Sequence, residues 1–175
     1  MKQILVISGT QRANSQTLKM CQWVQSLLIP MNIRSSLLDL NSSWIHELTS
    51  NTSYTNPPEA LLNIAMEHLQ NPTHCIVVCP EYNGSYPGIF KLIIDVLPPQ
   101  LWMHKRIALI GVSDGRAGNL RGMDHLSEVF QHLKAHVYFN KLPVSNIRTA
   151  LQVDHPIHAL TQEALSKLLE GFSQF

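Results

Sequence analysis

A chain of 175 residues with 45% apolar composition can bury one sizeable core but is short for two, since domains commonly run about 100 to 150 residues; a single domain over residues 1–175 is expected. With 13 basic and 12 acidic residues, a net charge of +1 and no long run of one sign, the chain lacks the electrostatic footprint of a nucleic-acid or membrane-surface binder. No apolar stretch approaches the roughly 20 residues of a spanning helix, and Met1 leads directly into strand-like KQILVIS rather than a signal peptide, so the expected location is the cytoplasm.

In chain order, a first strand is predicted at Gln3–Ser8, followed by the polar loop SGTQRANSQT over Ser8–Thr17 and a helix over Thr17–Leu28. A second strand is predicted at Asn32–Leu38. The segment Asn41–Asn56 is rich in Ser, Asn and Thr and carries Trp44 and Tyr54; irregular segments of this length are usually either functional or mobile, and composition does not choose between them. A helix follows at Pro58–Gln70, then a third strand at His74–Cys79 whose run HCIVVC reads as buried on both faces. After the loop PEYNGSYPGIFK, Ile89, Leu92, Ile93, Val96 and Leu97 have helical spacing, predicting a helix over Gly88–Leu97. A fourth strand at Arg106–Val112 and a helix at Met123–Lys134 come next, the helix marked by Leu126, Val129, Phe130 and Leu133 at i, i+3, i+4 and i+7. A fifth strand at Ala135–Phe139 and a helix at Leu160–Phe172 complete the pattern.

Strands alternating with amphipathic helices specify a three-layer α/β sandwich, a parallel sheet with helices on both faces. Five strands with no sixth favour the flavodoxin-like order 2-1-3-4-5, in which the loops after the first and third strands face each other at the switch point where ligands collect. The loop after the third strand, Pro80–Lys91, is by position a binding loop; spacing alone allows an ordinary packed turn equally well.

The first loop has the composition of a phosphate site. A helix start presents unpaired N–H groups and the positive end of a dipole. Thr10, Ser15 and Thr17 add hydroxyl donors and Arg12 a guanidinium fork matched to phosphate. Helix capping by Asn14 or Ser15 needs only one such residue, so the surplus of donors favours phosphate. Neither GxxxxGK[ST] nor GxGxxG is present, which points to one terminal phosphate rather than a nucleoside triphosphate or a dinucleotide pyrophosphate.

Cys21, Cys75 and Cys79 form no CxxC pair and are expected to be free, buried thiols; Cys75 and Cys79 share one strand face at too great a separation for a disulfide. Cys79, beside the binding loop, has no activating neighbour in sequence and is read as a buried strand residue. The nine histidines include His155 and His158 in DHPIH and His125, His132 and His136 around the fourth helix. They fall in no HExxH or paired-ligand framework, so no metal is expected.

Three blocks resemble the NADPH-dependent FMN reductases, a family that includes quinone, azo-dye and chromate reductases. Ser8–Thr17 is similar to that family's GSxRxxSxN loop, with Thr10 for Ser and Thr17 for Asn. Pro80–Lys91 is similar to PEYNGSxPGxxK. Ser113–Leu126 is similar to SxGxxGGxR followed by HL, with Asn119 in place of the second Gly. The tail after Leu142 matches no motif. The resemblance implies a flavodoxin-like fold and FMN, with its phosphate on Thr10, Arg12, Ser15, Gln16 and Thr17. It places the ring across Pro80, Glu81, Tyr82, Asn83 and Gly84, closed on its other side by Ser113 and Gly115. Tyr82 would be a flat wall, and backbone N–H groups of Glu81, Asn83 and Gly84 would reach the polar ring edge. Glu81 is expected to fix the loop by an ion pair with a residue such as Arg116 or Arg121, or across a subunit interface. No catalytic acid or base is implied, because the hydride chemistry belongs to the flavin. The implied reaction is ping-pong transfer from NADPH or NADH to a small-molecule electron acceptor, in a homodimer or homotetramer. A flavodoxin-like carrier or a non-catalytic FMN module are the alternatives, and carriers are usually acidic, unlike this chain.

Overall fold

In the computed structural model, which describes residues 3–45 and 57–175, the chain runs β1 (Gln3–Ser8), α1 (Gln16–Leu28), β2 (Arg34–Asp39), α2 (Glu59–Leu69), β3 (His74–Pro80), α3 (Gly88–Val96), β4 (Arg106–Val112), α4 (Leu120–His132), β5 (His136–Val137), β6 (Leu142–Val144), α5 (Ile147–Ala150) and α6 (Pro156–Gln174). The strands form one parallel sheet in the order β2-β1-β3-β4-β5, with β6 also pairing β4. This is the expected order.

β3 occupies the middle of the sheet and is buried along its whole length. Its alternation divides the core: Cys75, Val77 and Cys79 pack with α2, α3 and α4 on one face, while Ile76 and Val78 pack with Met20, Val24 and Leu28 of α1 and Leu165, Leu168 and Phe172 of α6 on the other. A strand buried on both faces reads as a continuous apolar run, which is why periodicity alone identified it. The register pairs Ser8 with Val78 and Pro80 with Val112, so β3 and β4 end level, β1 ends two residues short of them, and all three deliver their loops to one edge.

The fifth strand differs from its prediction. β5 leaves the ladder after Val137, and the chain rejoins β4 at Leu142, so that Ile107 pairs with Val137 but Ile110 with Leu142. Two residues of β4, Ala108 and Leu109, therefore face four, Tyr138–Lys141, and the chain bulges away from the ladder. Tyr138 turns inward against Phe172 and Phe175, whereas Phe139 is 82% exposed. Pro143 is tolerated in β6 because the segment borders only β4 and one of its sides needs no donor. The last helix begins a turn earlier than expected, at Pro156, with the His155 ring accepting from the Ile157 N–H at 3.2 Å as a cap. The first turn, Pro156–Ala159, carries a single large apolar side chain, Ile157, too few for apolar spacing to register.

Of the long segment Asn41–Asn56, Trp44 and Ile45 are buried in the core; Tyr54 lies outside the described residues. Lys105 is buried and its Nζ donates to the carbonyls of Leu69 and Pro72, each at 2.5 Å, which fastens the end of α2 to the start of β4. Among the described residues, no helix is long and apolar enough to cross a membrane.

Candidate active site

A cleft of about 340 Å³ opens at the carboxyl edge of the sheet, between the loops after β1, β3 and β4 and the start of α5. Its floor at the β1 end is the N-terminus of α1. Ser15 caps that helix, its Oγ accepting from the Leu18 N–H at 3.0 Å. The N–H groups of Gln16 and Thr17, which line the cleft, have no acceptor among the described residues and point the positive end of the helix into it. Arg12 stands on the same wall, its guanidinium carbon 4.1 Å from the centroid of the Tyr82 ring.

The loop after β3 is a two-residue hairpin. Tyr82 N–H donates to the Ser85 carbonyl at 2.8 Å and Ser85 N–H to the Tyr82 carbonyl at 3.1 Å, while Asn83 and Gly84 have φ of 52° and 79°. Two successive positive φ values make a type I′ turn, the geometry that Asn-Gly prefers. A Cβ at Gly84 would also sit 2.9 Å from Nη1 of Arg121, which a flexible arginine can relieve, so it is the positive φ that favours glycine here. The hairpin is tethered to α4 by Ser85 Oγ and His125 Nδ1 at 2.8 Å.

The loop after β4 closes the third side. Ser113 Oγ donates to the Gly115 carbonyl at 2.9 Å and accepts from the Gly118 N–H at 3.1 Å. Its backbone N–H donates to Val144 and its carbonyl accepts from Ile147, which hangs α5 on the cleft wall. Arg148 of α5 pairs with Asp114 at 3.2 Å, both largely exposed.

Of the residues expected at the site, Arg12, Ser15, Gln16, Thr17, Pro80, Glu81, Tyr82 and Ser113 line the cleft. Thr10 does not: it is fully buried, with its hydroxyl 2.6 Å from that of Tyr82. Asn83 and Gly84 stand at the hairpin tip beyond Tyr82, and Gly115 is turned toward Ser113. The Glu81 N–H is unavailable to a ligand because it donates to the Val112 carbonyl at 3.0 Å; those of Asn83 and Gly84 have no acceptor among the described residues. The expected bridge from Glu81 to Arg116 or Arg121 is not formed among the described residues, and Arg121 lies over Gly84 instead. Asp114, Ile147 and Arg148 were missed. Asp114 lay within a recognised block, but nothing local marks Ile147 or Arg148.

All three cysteines are free and buried. Burial raises each thiol above its ordinary value of 9.0, Cys75 to about 12, so Cys79 is no nucleophile despite lying beside the hairpin. Among the described residues, no group of three or more His, Cys, Asp and Glu side chains is placed to hold a metal ion.

A polar cleft at the switch point of this sheet, with helix N–H groups and an arginine at one end and a glycine-containing hairpin at the other, places the chain among mononucleotide-binding proteins of the flavodoxin-like class. Sequence comparison makes the assignment specific. The sequence profile described as NADPH-dependent FMN reductase matches residues 2–149, and the chain belongs to that family. An NADH-dependent FMN reductase, SfnF, of Pseudomonas putida is 26% identical, over 98% of this chain and 91% of its own. An FMN-dependent NADPH-azoreductase of Staphylococcus aureus is 25% identical over 74% of this chain and 69% of its own. The solved flavoenzyme FerB of Paracoccus denitrificans, an NAD(P)H:(acceptor) oxidoreductase, shares the fold with a TM-score of 0.77 at 20% identity, over 99% of this chain and 96% of its own. The protein is an FMN-dependent NAD(P)H oxidoreductase.

Proposed function

We propose that this cleft holds FMN with its phosphate at the α1 end and its ring against the hairpin, and that electrons from NADH or NADPH leave it for small acceptors such as quinones, azo compounds or free flavin. The observation that carries this reading is the pair of undonated N–H sets bracketing one cleft: Gln16 and Thr17 at the helix start, Asn83 and Gly84 on the hairpin. A phosphate monoester suits the first set and Arg12; the polar edge of a flat heterocycle suits the second. The donor set therefore fits FMN.

When bound, FMN supplies the hydride-accepting and electron-donating chemistry. Arg12 and the α1 N-terminus bind the phosphate. Tyr82 would supply a flat wall for the ring, and Ser113 would border the opposite side, with Gly115 behind it. No side chain in the cleft is assigned as acid or base. The relatives named as FMN reductase and azoreductase support a small, planar, electron-poor acceptor, and the cleft's exposure to solvent is consistent with donor and acceptor using it in turn. A single domain carrying the whole site, a cytoplasmic location suited to three unpaired thiols, and a homodimer or homotetramer belong to the same reading.

The test is reconstitution. Purified protein loaded with FMN is yellow, and anaerobic NADPH or NADH bleaches it rapidly, with colour restored by a quinone or azo acceptor. Protein that ignores added FMN contradicts the cofactor assignment. Protein that binds FMN but is not bleached by either nicotinamide is a carrier or a non-catalytic module.

A further inference from the structure

We propose that Asn119 is the positioning residue of the flavin hairpin, holding from behind the peptide on which Tyr82, Asn83 and Gly84 are carried; this rests on the reading of the cleft as the FMN site. Asn119 occupies the N-cap position of α4, with φ of 61° and ψ of 32°, yet its side chain caps nothing. It turns toward the end of β3 instead, where Nδ2 donates to the carbonyls of Cys79 at 2.9 Å and Pro80 at 3.0 Å. Because only a donor can meet two carbonyl oxygens, the amide orientation is fixed by chemistry.

Successive carbonyls of an extended strand point to opposite sides. Capture of both by one amide group therefore requires the chain to leave the strand path at this point, which is where β3 turns into the hairpin. The Pro80–Glu81 peptide is held from both ends: its carbonyl by Asn119 and its N–H by the Val112 carbonyl. The free N–H groups of Asn83 and Gly84 lie two and three residues further on, so the corner sets where they stand. Arg121, the second residue of the same helix, places its guanidinium beside Gly84 at the tip.

The surroundings of this amide are tight. Asn119 is 1% exposed, and its Oδ1 is buried without a partner among the described residues, an arrangement that stability alone disfavours. A Cβ at Gly122 would lie 2.1 Å from that oxygen, and one at Gly111 would lie 3.1 Å from the Asn119 Cβ. Gly122 makes room for the clamp, whereas the closest constraint at Gly111 is the Gly118 carbonyl, 2.2 Å from a Cβ there.

The holoenzyme tests this with Asn119→Gly, which retains the left-handed turn without steric cost and removes only the amide. The FMN Kd, read by fluorescence quenching, rises roughly 5- to 100-fold, and the flavin midpoint potential and visible spectrum shift from wild type. Gly122→Ala in the wild-type background displaces the amide and reproduces both changes. In the Asn119→Gly background the same alanine leaves Kd unchanged and raises Tm, as alanine for glycine does in a helix. If Asn119→Gly lowers Tm equally with and without FMN while Kd stays within twofold and the potential is unchanged, Asn119 only stabilises the fold and the proposal fails. If wild-type protein does not bind FMN, the site reading fails first and takes the proposal with it.

Discussion

Replacing Arg12 by alanine separates two contacts that the structure assigns to one side chain. The guanidinium lies 4.1 Å from the Tyr82 ring centroid and is exposed to solvent, so its stacking contributes about 0.5–1 kcal/mol to the fold without ligand. For a chain of this size that is a fall in Tm of about 1–4 °C. A charge-assisted hydrogen bond to phosphate contributes more, about 1.5–3 kcal/mol. Arg12→Ala is therefore expected to raise the FMN Kd about 10- to 150-fold, far more than it lowers stability. Arg12→Lys keeps the charge but loses the fork and falls between. The assay is titration of FMN fluorescence by apoprotein at low and high salt, beside thermal unfolding of the apoprotein. Because salt screens an exposed cation, the ratio of mutant to wild-type Kd should narrow as salt rises. A Kd within twofold of wild type refutes the phosphate assignment. A Tm loss above about 8 °C would instead make Arg12 a structural residue, contrary to its exposure.

Other expectations follow from buried groups. Tyr82→Phe leaves the hydroxyl of fully buried Thr10 without its 2.6 Å partner, so the apoprotein should lose about 1–3 kcal/mol in urea titration; an unchanged midpoint would mean that water replaces the phenol. Gly118 has φ of 56°, and a Cβ there would stand 2.7 Å from Pro143 and Val144. Gly118→Ala should therefore cost more than the roughly 1 kcal/mol of an ordinary left-handed alanine, and a melting point equal to wild type would show that β6 is not held against this loop. The Cys75 thiol is raised from 9.0 to about 12 by burial. Its stabilising contribution is complete below the unfolded-state value of 9.0 and is lost as pH rises from there toward 12, because the unfolded chain releases the proton first. One such thiol contributes a slope of up to about 1.4 kcal/mol per pH unit. Cys75→Ala should lower stability at neutral pH yet flatten its decline above pH 9, as read by urea unfolding across that range; an unaltered slope would assign the alkaline decline to other groups.

The sequence by itself determined the layers and named the candidates for the two ends of the site. HCIVVC announced a strand buried on both faces, the alternation of elements favoured the order 2-1-3-4-5, the hydroxyl-and-arginine loop had the composition of a phosphate site, and PEYNGS carried the family resemblance that implies a ring there. Those features are local: a periodicity, a helix start and a tight turn are written in a few neighbouring residues. Tertiary structure decided what depends on distant partners. It split the fifth strand, where Tyr138 finds its aromatic partners in Phe172 of α6 and Phe175 just beyond it. It withdrew Thr10 from the cleft by pairing it with a tyrosine 72 residues away. It took the Glu81 N–H for β4 and brought Ile147 and Arg148 to the wall by hanging α5 on Ser113. Asn119 shows the division most plainly: its identity and its tolerance of a left-handed turn were legible, but the two carbonyls it grips lie 39 and 40 residues earlier. Only the closing of β3 against β4 brings a hydrogen-bond donor and acceptors that far apart in sequence to within 3.0 Å.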